Sequence, residues 1–167
     1  MGKKGQDVKK FADDYHDRLT PMIGSGFKPS RSMCGAIALY SAGGVPLFAQ
    51  TANYGGTDYH VEIHLLALLY EFVKKSGWGE YTLPAWSTVY LYVYDSPCKQ
   101  CTTKLARALN LSWQNGRNST VRWKLSFSQW YTGSGFDRYW DVNAAKRDYK
   151  EQLSDAGYTG WRIKQAT

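Results

Sequence analysis

The sequence has only three cysteines, Cys34, Cys98 and Cys101. So small and odd a number excludes the disulfide framework that staples small secreted domains. No stretch is apolar for long enough to span a bilayer, and the N-terminus MGKKGQDVKK lacks the hydrophobic core of a signal peptide. Gln6 stands where a myristoylation site needs Ser or Thr. No membrane partner is expected. An intracellular location, cytoplasm or nucleus, is expected, with secretion following only from a removed signal peptide. Internal repeats and low-complexity linkers are also absent, which excludes solenoids and arrays.

Acidic residues are missing from one long interval. Between Asp95 and Asp137 there is none, yet the interval carries Lys99, Lys104, Arg107, Arg117, Arg122 and Lys124. The whole chain has a formal charge of +7 and a pI near 9.3. Such a balance suits an anionic partner, nucleic acid above all, and an unbroken basic interval suits phosphates better than scattered charge does. The plainer reading is a soluble basic protein. The 167 residues fit a single domain, 1–167. Aromatic residues make up 16%, with seven Trp and thirteen Tyr, more than a core alone requires.

Periodicity then orders the chain. Val8, Phe11, Tyr15 and Leu19 recur at helical spacing, and Thr20-Pro21 stops that helix. MCGAIALYS and VPLFAQTA read as two strands of a hairpin about the glycine pair between them. A helix is expected from Tyr59 to Lys75, with Ile63, Leu66, Leu69, Tyr70 and Val73 buried. STVYLYVYD is a continuous β-branched and aromatic run, suited to a central strand. Pro97 ends it and opens a helix from Cys98 to about Leu109. TVRWKLSFSQWY alternates, with Val121, Trp123, Leu125 and Phe127 on one face. A long helix from Phe136 to about Asp155 and a last strand at YTGWRIKQ complete the order. The fold class is α/β, a five-stranded mixed sheet flanked by helices. Its last two strands should run parallel, since a helix joins them.

Two fragments carry chemistry. TDYHVEIHLL puts His60 and Glu62 at a helix start, and YDSPCKQC puts Cys98 and Cys101 in the first turn of the next helix. A Cys-x-x-Cys at a helix N-terminus aims both sulfurs at one point, where the helix dipole favours thiolates. With one imidazole they make three zinc ligands and leave a fourth position for water, the form of a catalytic site. Zinc brings the pKa of such water to about 7. Glu62, two residues from the imidazole, can then shuttle protons without binding the metal. Blander readings exist for each part: a first-turn acid at Glu62, a redox pair at Cys98 and Cys101, and a chance i, i+4 pairing of His60 with His64.

His-x-Glu followed by Pro-Cys-x-x-Cys is the signature of the zinc-dependent deaminases. HVE and SPCKQC resemble that superfamily and, within it, the AID/APOBEC family. VRWKLSFSQWY resembles the family's next strand, and LSDAGYTGWRI resembles its following helix end and final strand. The likeness covers about residues 33–164 and implies a single-domain cytidine-deaminase-like fold. It implies one catalytic zinc on His60, Cys98 and Cys101, Glu62 as proton shuttle, and hydrolysis of cytosine to uracil in single-stranded DNA or RNA, DNA ahead of RNA. Polynucleotide deaminases of this superfamily join the last two strands by a helix, whereas free-nucleoside deaminases tend to use a short antiparallel turn. By position the resemblance sets Tyr131 against the target base, with Ser96, Asn53 and Trp130 near the nucleotide and Lys28 and Arg31 at phosphates. Trp130 reads equally as a core ring. Asp95 departs from the family, which usually has an aromatic there, and the family's further C-terminal helices have no counterpart. The alternatives are a free cytidine or nucleotide deaminase and a catalytically idle nucleic-acid-binding module with a structural zinc.

Overall fold

GAIALY forms strand β1, Gly35–Tyr40, and every one of its residues is buried. Small and aliphatic side chains suit a strand covered on both faces. In the computed structural model, which describes residues 35–52, 61–113, 120–135, 138–154 and 158–163, β1 lies between β2 (Pro46–Ala52) and β3 (Thr88–Asp95) and is antiparallel to both. The β1–β2 turn is closed by Ser41 N–H donating to Val45 O at 2.8 Å. Gly44 in that turn has φ 78°, a conformation that glycine adopts without strain. Strands β4 (Arg122–Gln129) and β5 (Tyr158–Ile163) follow, giving the order β2-β1-β3-β4-β5, with β3, β4 and β5 mutually parallel. The α/β class and the mixed sheet are as the sequence predicts.

Among the described residues there are three α-helices: α1 (Val61–Ser76), α2 (Lys99–Arg107) and α3 (Val142–Asp148). Helix α2 widens into a π turn, Ala108–Ser112, and α3 into another, Tyr149–Ser154. Both π segments continue the helical path without a break in the chain. Val89, Leu91 and Val93 of β3 stand in register with Trp123, Leu125 and Phe127 of β4. These six residues, Leu65 and Leu69 of α1, Leu105 of α2 and Ala145 of α3 share one core. Each fully buried large apolar side chain contributes about 1.5–3 kcal/mol. Ala36, Ala38, Tyr40 and Tyr92 form a smaller cluster of their own.

Gly35 fixes how closely α1 approaches the sheet. A Cβ there would stand 2.7 Å from Tyr92 O and 2.9 Å from Leu65 Cδ1, so any larger residue pushes α1 from β1.

Some expectations shift. The last helix begins at Val142 rather than Phe136, because Asp141 caps it: its carboxylate accepts from Ala144 N–H at 2.8 Å. Tyr139 is buried, and a bridge between Thr132 and Tyr139 closes the preceding loop. On α1 the buried face contains Val61, Glu62 and Leu65, while Ile63 and Tyr70 are only half-buried. The helix expected through Val8 and Leu19 and the thiol of Cys34 lie outside the described residues. No helix among the described residues is long and apolar enough to cross a membrane.

Candidate active site

The parallel strands bring their carboxyl ends to one edge of the sheet, where open α/β sheets bind ligands. Asp95 pairs with Gln129 at the ends of β3 and β4. Their side chains also meet, the Gln129 amide donating to the Asp95 carboxylate. Asp95, the departure from the family pattern, is thus engaged with its neighbour strand. One residue on, Ser96 N–H donates to Gln129 O at 2.9 Å, and Ser96 Oγ accepts from Tyr131 N–H at 2.7 Å. Buried Ser96 therefore ties the segment after β3 to the segment after β4, and sets Tyr131 beside the Pro-Cys motif.

Cys98 is the N-cap of α2, not its first helical residue. Its sulfur accepts from Cys101 N–H at 3.5 Å, a weak sulfur cap on an otherwise unsatisfied first-turn donor. Thr102, fully buried, secures the turn: its N–H and its hydroxyl both donate to Cys98 O, at 2.9 and 2.8 Å. Pro97 O accepts from the Tyr149 hydroxyl at 2.5 Å. Tyr149 is itself fully buried, and its neighbour Tyr139 donates to Asp148. Burial above all raises the pKa of both tyrosines, so they remain neutral donors.

Glu62, Cys98 and Cys101 are 5%, 3% and 1% exposed. A carboxylate and two cysteines this deeply buried need partners. They find each other: Cys101 interacts with both Cys98 and Glu62, and its thiol is pushed far up by the Cys98 sulfur first, then by burial and the Glu62 charge. Neither cysteine is in a disulfide. The two sulfurs at a helix N-terminus are donors of the kind a zinc site uses, and the acidic side chain stands beside them.

Two of the three expected ligands, Cys98 and Cys101, are therefore together, with Glu62 against them. The third, His60, lies outside the described residues, as do Asn53, Lys28 and Arg31. Among the described residues no group of three or more His, Cys, Asp or Glu is arranged to hold a metal ion. Half-buried Trp130 packs edge-on to Phe127, with centroids 4.8 Å apart, and stacks on Tyr149 at 6.0 Å. The Lys146 ammonium lies 5.9 Å from its ring centroid.

Among its described residues, the basic interval reaches both ends of the parallel strands. Lys99 is exposed beside Cys98, but Arg122 opens β4 and pairs with Thr88 at the opposite edge. Eight strand residues at about 3.3 Å each separate the two edges by roughly 25 Å. Lys124 lies over Tyr90, 5.6 Å from its centroid.

Sequence reasoning missed Thr102 and Tyr149. The first is legible, since a Thr four residues after a capping residue can bond back to its carbonyl. The second is not, because its partner lies 52 residues away. No family model matches the chain, and no curated protein matches it either.

Proposed function

We propose that the protein is a zinc-dependent deaminase that converts cytosine to uracil in single-stranded polynucleotide, DNA ahead of RNA, on a cytidine-deaminase-like fold. The observation that carries this is that buried Cys101 meets both Glu62 and Cys98 at the carboxyl edge of the parallel strands. A structural zinc needs no proton shuttle.

Cys98, Cys101 and His60 would hold the metal, which when bound supplies Lewis-acid activation of water near neutral pH. Glu62 does the proton work: it takes a proton from the attacking water, delivers it to the ring nitrogen, and assists the amine in leaving as ammonia. Its burial keeps bulk water from competing for that proton. Tyr149 and Thr102 hold the Pro97–Cys98 carbonyls, so the two sulfurs keep one geometry. Tyr131 would border the target base, which must be unstacked and unpaired to reach so recessed a site.

The helical crossover between parallel β4 and β5 supports the polynucleotide branch. One observation favours the second reading, a free cytidine or nucleotide deaminase: Arg122 and Lys124 lie away from the site edge. Deamination of matched single-stranded DNA, duplex DNA, RNA and free cytidine decides between them. Conversion of single-stranded DNA well above the rest supports the first reading. Conversion of free cytidine alone would replace it with the second.

A further inference from the structure

The loop after β4 carries a cation with no task in the deaminase chemistry. The Arg138 guanidinium lies over the Tyr131 ring, its central carbon 4.1 Å from the centroid. Two glycines clear its path. A Cβ on Gly135 would stand 3.1 Å from Arg138 Cδ and 3.2 Å from its Nε, and one on Gly133 would stand 3.7 Å from an Nη. Gly133 also has φ 136°, a backbone that other residues rarely adopt. The loop is fastened by Gly133 N–H donating to Tyr139 O and Arg138 N–H to Gly135 O, at 2.9 and 3.1 Å.

Among the described residues Arg138 has no ion-pair partner. Among the described residues of the segment that follows, Asp141 accepts from Ala144 N–H, and Asp148 accepts from Tyr139 and Gln152. Stacking uses only the face of a guanidinium. Its N–H donors lie in the plane and point outward, in the fork that matches two phosphate oxygens. The platform is fixed as well, because Ser96, two residues before Cys98, holds Tyr131.

We infer that Arg138 is a phosphate-binding residue, prearranged on Tyr131 to take a phosphate attached to the nucleotide whose base enters the site. This rests on the reading above, in which Tyr131 borders that base. The phosphate belongs either to a polynucleotide backbone or to a free nucleotide; the chemistry is shared.

The test is binding, measured apart from turnover. Wild type, Arg138→Ala and Arg138→Lys, each confirmed folded by thermal melting, are titrated with a labelled single-stranded oligodeoxycytidylate, with deoxycytidine monophosphate and with deoxycytidine, over a range of salt. Arg138→Ala should weaken oligonucleotide binding about tenfold and lower the slope of log affinity against log salt by about 0.7, the loss of one single-strand phosphate contact. Arg138→Lys should keep the slope and recover only part of the affinity, since it keeps the charge and loses the fork. An equal loss for the monophosphate assigns the target's own phosphate, and a loss confined to the oligonucleotide assigns a neighbouring one. Unchanged affinity and slope in Arg138→Ala, no binding by wild type, or an equal loss with deoxycytidine would overturn the inference. A wild type that binds phosphate through Arg138 yet deaminates nothing would leave this site standing and remove the deaminase reading.

Discussion

Glu62 is a carboxylate at the first turn of a helix, where the dipole favours it, yet it is buried beside Cys101, where its charge is costly. On the proposed deaminase reading, that conflict is what the proton shuttle requires. Glu62→Ala should keep the fold and a full complement of zinc while turnover falls by about 10²–10⁴, the usual range for a lost general acid–base. Metal analysis and a rate assay on the same preparation check it. Cys98→Ser and Cys101→Ser should instead lose the metal, since hydroxyl oxygen is a poor substitute for thiolate at zinc. Tyr149→Phe removes one buried hydrogen bond and leaves Pro97 O without that donor. It should destabilise the protein by about 1–3 kcal/mol, seen as a lower melting temperature. Much of this site is legible in the sequence because its parts are local: two residues separate Cys98 from Cys101, and Pro97 marks the turn. The hold on Pro97 is not legible, because only the fold brings Tyr149 there.

At the scale of elements, packing and capping decide the boundaries. Strands β3 and β4 are readable because TVYLYVYD and RWKLSFSQ offer β-branched and aromatic residues at a period of two. The start of α3 is not, since the residues before it share the helical spacing of those after it. What stops the helix there is the bridge from Thr132 to Tyr139, seven residues apart, and the cap at Asp141. Asp141→Ala should cost about 1 kcal/mol, a drop of roughly 2–4 °C in melting temperature. Gly35→Ala should cost more, about 1–3 kcal/mol, because the new methyl meets a backbone oxygen of β3 as well as a side chain of α1. Chemical denaturation of both variants beside wild type gives the order.

For the whole molecule, the fold gathers what the chain scatters. Helix α1, the turn after β3 and the loop after β4 reach one sheet edge because β3 and β4 are parallel and adjacent, joined by a crossover that contains α2. The basic interval is not gathered in the same way: among its described residues Lys99 lies at that edge and Arg122 at the far one. Net charge is legible in a sequence, and its direction in space is not. The measurement that bears most directly on the deaminase reading is uracil formation in a single-stranded deoxycytidine oligonucleotide, read by mass, for wild type and Glu62→Ala carrying equal zinc. Conversion by the wild type and none by the variant is the expected result. No conversion by the zinc-loaded wild type, or equal conversion by both proteins, would contradict it.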